Sequence, residues 1–246
     1  MNDGRGPSVS PASDRYCKGS GVTPLGAWLQ RFEHRNLERL LTAHGGLTSG
    51  TKFLEIGPGK GAFARYLLSR HELDYSAIEV HEESARALEA DGVTSICSAV
   101  PPFPLQDQSV DVVFAKHVLE HMASRSQAVD FVAEARRVLR EGGLLILAVP
   151  NIVEVGWLFF HDYTHNMPFM PSSLRWLVTD GGFRVLRCVT YNGPFFGPLR
   201  HLVSVARKLL PWSWLARLQT GYPDEGPFFK AQLTFCASVL VIAIKT

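Results

Sequence analysis

Along the first two thirds of the chain, short apolar runs typical of strands alternate with segments in which hydrophobic residues recur at helical spacing. Short apolar runs at 52–57, 74–80, 93–98, 109–115 and 144–151 predict strands. Helical spacing between them predicts helices at 61–71, 82–92 and 124–143, after an N-terminal helix over 23–44. Strands that alternate with helices in this order predict a parallel sheet that helices cover on both faces.

The last third departs from this rhythm. Residues 171–183 predict a helix that Ser172 or Ser173 caps, and 184–192 and 231–246 predict two strands. Between these strands lies an insertion at about 194–230. Within it we predict a helix with an apolar face (Leu199, Leu202, Val203, Ala206, Leu209 and Leu210) and a polar one (Arg200, Ser204, Arg207 and Lys208), which ends before Pro211.

Composition narrows the class of protein. The 246 residues are 46% hydrophobic and 20% charged, which suits one globular domain over 23–246 behind a polar, disordered leader at 1–22. A net charge of +2 argues against a nucleic-acid partner. The four cysteines form no zinc-like or disulfide-like pattern, and no apolar run is long enough for a membrane span or signal peptide. We therefore predict a cytoplasmic location.

A glycine-rich turn follows the first predicted strand, in the sequence EIGPGKG at 55–61. Glycines let a ligand approach the backbone, and the N–H groups of the next helix face it. The spacing does not fit a phosphate P-loop. A dinucleotide fingerprint fits Gly57, Gly59 and Ala62, with the acid Glu79 about 20 residues further on. However, Glu55 would repel a pyrophosphate and attract a cationic cofactor.

These residues resemble the motif [D/E]xGxGxG of class I S-adenosylmethionine-dependent methyltransferases. The segments at 102–122 and 134–151 also resemble that family. The resemblance implies a Rossmann-like α/β fold with seven mostly parallel strands and an antiparallel last strand. It implies that S-adenosylmethionine binds at Glu55, Gly57, Pro58, Gly59, Gly61, Glu79, Ser98, Lys116 and His117, with Glu55 serving the ammonium group and Glu79 the ribose hydroxyls. Where the family often has Asp-Ala, this chain has Cys97-Ser98.

Candidate catalytic residues follow two strands. His117 and His121 follow the fourth predicted strand, and Asp162, Tyr163 and His165 follow the fifth. Both groups should lie at the carboxyl edge of the sheet, where such folds bind ligands. Two structural alternatives stay open: Glu120 and His121 could cap a helix, and the loop at 161–165 could be held by its own hydrogen bonds. Quinone O-methyltransferases resemble the first segment and hold a metal near it, but no further carboxylate follows here, so we predict no metal site.

The segment at 162–183 resembles methyltransferases of bacterial polysaccharide and lipopolysaccharide gene clusters. This resemblance implies a small-molecule or glycan substrate, with O-methylation of a sugar, a glycolipid precursor or another small hydroxylated molecule. Methylation of a quinone, aromatic or amine compound is one alternative, and a non-catalytic module that binds S-adenosylmethionine is another. A nicotinamide oxidoreductase is disfavoured by Glu55 and by the C-terminal strands.

The stretch from 181 to 223, which includes much of the insertion, has no acidic residue and six Lys or Arg residues, and Trp212 and Trp214 also lie within it. A basic amphipathic segment at 198–218 is typical of contact with a membrane surface. The alternative is a lid helix whose apolar face packs on the domain while its charges are solvated.

Overall fold

A computed structural model describes residues 24–211 and 232–246. The predicted leader and much of the insertion therefore lie outside the described residues. Seven strands form one sheet in the order β3-β2-β1-β4-β5-β7-β6. Strands β1 to β5 are parallel, whereas β7 runs antiparallel to both β5 and β6. The strands are β1 Thr51–Ile56, β2 Leu73–Glu79, β3 Thr94–Cys97, β4 Val110–Lys116, β5 Leu139–Pro150, β6 Phe183–Asn192 and β7 Ala237–Lys245. The predicted fold class is confirmed.

The helices follow the predicted order. They are α1 Pro24–Ala43, α2 Ala62–Leu68, α3 Glu82–Ala90, α4 Arg125–Val138, α5 Ile152–Val155, α6 Pro171–Asp180 and α7 Leu199–Leu209, with short 3-10 helices at Leu119–His121 and Gly156–His161.

Two predicted helix boundaries were wrong. Helix α4 ends at Val138 rather than at 143, because Leu139 already pairs with Val110 of β4 and Gly142 has a φ of 76° that no α-helix allows. Neither Ser172 nor Ser173 is the N-cap of α6. Met170 holds that position, and the Ser173 hydroxyl accepts its N–H at 2.9 Å.

Each face of the sheet packs against its own set of helices. On one face, Leu54 and Ile56 join a core with α4 and α6. On the other face, Phe53 joins a core with α1, α2 and α3. Neighbouring positions of β1 therefore point to opposite cores. Because every second side chain of a strand lies on the same face, Glu55 shares a face with Phe53.

The strand order reverses at β1, whose neighbours are β2 and β4. The loops that leave these strands diverge to opposite sides of the sheet, so a crevice opens at their carboxyl ends. Strand β1 ends beside the glycine turn, β2 ends at Glu79 and β4 ends at Lys116. The fold thus gathers the sequence-predicted site residues at one edge.

Helix α7 faces the domain with its polar side. Arg200 Nη1 and Ser204 Oγ donate to the Glu154 carboxylate at 2.9 and 3.0 Å, and Arg207 Nη2 donates to the Glu154 carbonyl at 2.6 Å. Ser204 and Arg207 are buried, whereas Leu202 and Leu209 are 69% and 78% exposed. The lid-helix alternative, with its apolar face packed on the domain, was therefore wrong.

Three cysteines within the described ranges, Cys97, Cys188 and Cys236, carry free thiols. A search of the described helices finds none that is both long and apolar enough to cross a bilayer.

Candidate cofactor and active site

The glycine turn is open on one side and packed on the other. Gly59 has a φ of 55°, and a Cβ at this position would meet no atom within 4 Å. Gly61 has a φ of 67° and begins α2, and its missing Cβ would collide with a methyl group of Leu88. Only glycine satisfies both the backbone conformation and the packing at Gly61. The turn therefore presents bare backbone to the crevice.

Glu79 ties this turn to the end of β2. Its Oε2 accepts the Gly59 N–H at 2.9 Å, and its Oε1 accepts the His81 N–H at 3.0 Å. The side chain is buried, so these bonds hold the carboxylate in one orientation. Each carboxylate oxygen keeps a further lone pair, and two adjacent acceptors suit a vicinal diol such as that of a ribose. The Ser98 N–H donates to the Glu79 carbonyl at 3.1 Å, which places Ser98 next to this carboxylate.

Glu55 lies under the turn rather than in the open crevice. It is buried, and the Tyr75 hydroxyl donates to its Oε2 at 2.5 Å. Burial raises the pKa of Glu55 to about 7, although the Tyr75 bond and the charge of Lys116 oppose this rise. A cationic ligand at this position would favour the ionised form further.

Helix α1 supplies charged residues that the sequence reading missed. Lys116 Nζ donates to Glu33 Oε1 at 2.6 Å, which joins α1 to the end of β4. His34 is buried beside this pair, and burial together with Lys116 lowers the pKa of His34 to about 4. The spacing of His34, Leu37 and Leu41 on one helix face is the signal that could have placed His34 against the sheet.

The turn after β4 brings His117 to Glu120. His117 has a φ of 59°, and its Nδ1 lies 3.0 Å from Glu120 Oε1. The Glu120 side chain is completely buried, while its backbone carbonyl accepts the N–H groups of Asn166 and Met167. The 3-10 helix at Leu119–His121 is thereby joined to the loop after β5.

That loop brings His165 against His121, with ring centroids 4.8 Å apart. His121 Nδ1 lies 2.9 Å from Thr164 Oγ1, and this hydroxyl donates to Asp162 Oδ1 at 2.7 Å. His165 Nδ1 lies 2.8 Å from the Phe159 carbonyl. The loop is thus held by its own hydrogen bonds, as one alternative predicted, and the same bonds orient two imidazoles.

Burial is the main cause that lowers the pKa of His121, so this imidazole is neutral near pH 7. Asp162 Oδ1 is connected to His121 through the Thr164 hydroxyl, and Asp162 Oδ2 lies 4.0 Å from His165 Nε2. Tyr163 is 66% exposed on the outer side of the loop. Of the predicted catalytic residues, the structure therefore brings His121 and His165 together, places Asp162 behind them and leaves Tyr163 on the surface.

Comparison with known proteins finds a methyltransferase domain model that matches part of the chain. The model of the methyltransferase domain family matches residues 54–147, which include the glycine turn, Glu79 and the 3-10 helix at Leu119–His121. A sarcosine/dimethylglycine N-methyltransferase of Aphanothece halophytica is 28% identical over 110 residues, 42% of this chain and 39% of the relative. The "Probable S-adenosylmethionine-dependent methyltransferase" of Mycobacterium tuberculosis is 36% identical over 94 residues, 37% of this chain and 33% of the relative.

The fold comparison covers more of the chain. The structure of geranyl diphosphate methyltransferase in complex with S-adenosylmethionine superposes with a TM-score of 0.63 at 18% identity, over 93% of this chain and 92% of that one. The family model thus covers the segment with the glycine turn, and the superposition shows that the described residues share the fold of an S-adenosylmethionine-dependent methyltransferase of known structure. The chain spans a third to two fifths of the length of the two curated relatives.

The family implies S-adenosylmethionine as the cofactor, and the residues of the crevice fit it. The open side of Gly59 leaves room that a Cβ would fill. The paired acceptors of Glu79 suit the ribose hydroxyls, and Glu55 offers a carboxyl group for an ammonium group. The individual cofactor contacts remain predictions.

Glu55→Gln should make the protein more stable above pH 7. In the folded state the carboxyl ionises near pH 7, whereas an unfolded glutamate ionises near pH 4.5. The raised pKa therefore lowers stability as the pH rises from 4.5 to 7, by on the order of 3 kcal/mol at most. Glutamine removes this penalty and still accepts the Tyr75 bond, so we expect a melting temperature several degrees higher at pH 8 and little change at pH 4.

Thermal denaturation of Glu55→Gln at both pH values checks this expectation, with the exposed Glu83→Gln on α3 as the control. Calorimetry of the same variant should show weaker binding of S-adenosylmethionine. An equal or lower melting temperature than the parent protein at pH 8 would show that the burial of Glu55 carries no such penalty.

Proposed function

We propose that this protein is an enzyme that transfers the methyl group of S-adenosylmethionine to a hydroxyl oxygen of a sugar, a glycolipid precursor or another small hydroxylated molecule. The observation that carries this proposal is the position of the two oriented imidazoles, His121 and His165, at the sheet edge that also bears the glycine turn and Glu79. The cofactor motif supports methyl transfer, and the imidazoles support an acceptor that must lose a proton.

Besides holding the cofactor and the acceptor, the protein has to supply a base for methyl transfer to a hydroxyl. The bond between sulfur and the methyl carbon breaks as a bond from oxygen to that carbon forms, and the hydroxyl proton goes to a base. A positioned base contributes typically 10²- to 10⁴-fold. His121 is neutral and held by Thr164, so it suits this role, with His165 as the second candidate. Asp162 acts as a positioning residue through Thr164.

Other acceptors are less well supported. The relative from Aphanothece halophytica is named for sarcosine and dimethylglycine, which are amines. A neutral amine needs no general base to attack a methyl group, so two imidazoles would have no evident purpose there. A quinone or aromatic hydroxyl would use the same base and differs only in the shape of the acceptor. A non-catalytic module would bind S-adenosylmethionine without turnover.

Glu79→Gln should weaken S-adenosylmethionine binding at least about tenfold, since a neutral amide loses charge-assisted bonds to the ribose hydroxyls. Isothermal titration calorimetry measures this, with NAD titrated in parallel and Glu83→Gln as a matched control on the next helix. We expect binding of S-adenosylmethionine and no binding of NAD. Tight NAD binding without S-adenosylmethionine binding would refute the proposal.

Acceptor class can be tested by incubation with methyl-labelled S-adenosylmethionine and separate pools of sugar nucleotides, glycolipids, phenols and amines. We expect label in a hydroxylated sugar or glycolipid, and at least about a hundredfold less when His121 is replaced by glutamine. Labelling confined to the amine or phenol pool would point to the corresponding alternative. Intact binding with no labelling in any pool, measured with His121→Gln alongside, would favour the non-catalytic module.

We also propose that the exposed apolar face of α7 contacts a membrane surface. Such contact suits a lipid-linked acceptor. The supporting observation is an exposed apolar surface on α7 and on the segment around Glu154. It comprises Leu199, Leu202, Val205 and Leu209 on α7, Leu210 directly after α7, Val153 on α5, and Trp157 and Phe160 on the 3-10 helix after α5. Because Arg200 and Arg207 face Glu154, this contact would depend on apolar residues more than on charge. Residues 212–218 of the predicted contact segment lie outside the described residues. The predicted cytoplasmic location and the predicted lack of a nucleic-acid partner stay predictions.

Leu202→Asp combined with Leu209→Asp should reduce binding to vesicles at least about tenfold, because both side chains lose apolar area that would enter the interface. Vesicle sedimentation with phosphatidylcholine and phosphatidylglycerol measures binding, and the exposed His201→Asp is the control. Equal binding of the double variant and the control would contradict membrane contact through this face.

A further inference from the structure

We propose that Glu120, His121 and His165 form a binding site for a divalent transition-metal ion. One ligand atom from each residue lies within 4.8 Å of the other two. Two residues come from the segment after β4 and the third comes from the loop after β5, so the cluster forms only when these loops meet. Binding of the ion does not depend on the methyl transfer proposed above. Because each imidazole has one free lone pair, His121 and His165 act as general bases only in the metal-free protein.

The hydrogen bonds of the two histidines leave one nitrogen of each ring as a ligand. The Thr164 hydroxyl donates to Asp162, so its oxygen must accept from His121 Nδ1. The Phe159 carbonyl can only accept, so His165 Nδ1 donates to it. Both Nδ1 atoms therefore carry hydrogen, so Nε2 is the atom with which each ring would bind an ion. Asp162 Oδ2 lies 4.0 Å from His165 Nε2 and adds negative charge beside the cluster. Metal-binding histidines are oriented in this way by a carbonyl, carboxylate or hydroxyl group at the other nitrogen.

Glu120 is the second, independent observation. Its side chain is completely buried, and Oε1 accepts from His117, while Oε2 has no hydrogen-bond partner among residues 24–211 and 232–246. An unpaired oxygen of a buried carboxylate is costly unless a cation or donor lies against it. A metal ion shared with His121 and His165 would satisfy that oxygen.

The donor set selects the kind of ion. Two imidazoles and one carboxylate suit zinc, iron, cobalt or nickel, whereas magnesium and calcium prefer oxygen ligands alone. Bonds of about 2.0 to 2.2 Å place any two ligand atoms no more than about 4.4 Å apart, so the cluster would contract slightly around the ion. With three protein ligands a fourth position stays open, and an acceptor hydroxyl would fit it chemically.

The sequence predicted no metal site because it offered no further carboxylate near Glu120. The missing ligand is an imidazole from the next loop. This inference departs from that prediction on the basis of the tertiary contact between His121 and His165.

Equilibrium dialysis of the chelator-treated, full-length protein against zinc, with metal analysis, tests the site. We expect one equivalent to bind, and Glu120→Gln and His165→Gln each to weaken binding at least about tenfold. His161→Gln is the matched control, because it removes an imidazole of the same loop that is not part of the cluster. Thermal denaturation in chelator establishes that each variant folds.

Cobalt(II) absorption provides a second readout. Bands of a nitrogen- and oxygen-ligated ion that are lost in Glu120→Gln support the site. Thiolate charge-transfer bands would overturn it, since they would place the ion on a cysteine. Failure of the parent protein to bind zinc, or equal binding by the folded variants, would also overturn it. Calorimetry in chelator measures the binding of S-adenosylmethionine without metal. Failure of the metal proposal can therefore be distinguished from failure of the proposed function.

Discussion

The Glu79 carboxylate accepts two backbone N–H groups, one from the glycine turn and one from the residue that precedes α3. This arrangement depends on the reversal of strand order at β1, because that reversal places the ends of β1 and β2 beside an open crevice. The rest of the site is arranged around the Glu79 carboxylate. Gly59 can present bare backbone because Glu79 holds the turn, and the remaining acceptor capacity of Glu79 faces the ligand.

One buried carboxyl group lies under the glycine turn, and another lies in the segment after β4. Glu55 Oε2 accepts from a tyrosine hydroxyl, and Glu120 Oε2 lacks a hydrogen-bond partner in the part of the chain that the structure describes. Such groups lower the stability of the folded state unless a ligand compensates for them. The pair of Lys116 and Glu33 shows the contrasting case, in which each charge has a partner within the protein. Glu55 and Glu120 lie where a cationic ligand and a metal ion are proposed.

Helix α7 illustrates why an amphipathic pattern is ambiguous. The sequence defines an apolar face and a polar face, but either one can face a domain if its groups find partners there. Glu154 supplies partners for Arg200, Ser204 and Arg207, and this turns the leucines outward. The position of Glu154 beside α7 is a property of the fold, since the two elements are far apart in the chain.

The sequence by itself determined the order of strands and helices, the glycine turn and the acidic residue that ends β2. These features depend on local periodicity and on backbone conformations that only particular residues adopt. Helix ends such as that of α4 were less predictable, since strand pairing competes with helix propensity there. Only the tertiary structure decided that Tyr75 reaches Glu55, that α1 brings Glu33 to Lys116, that His165 lies against His121, and which face of α7 is exposed. Each of these contacts joins residues from separate elements, and their side chains meet only when sheet register and helix packing place them together.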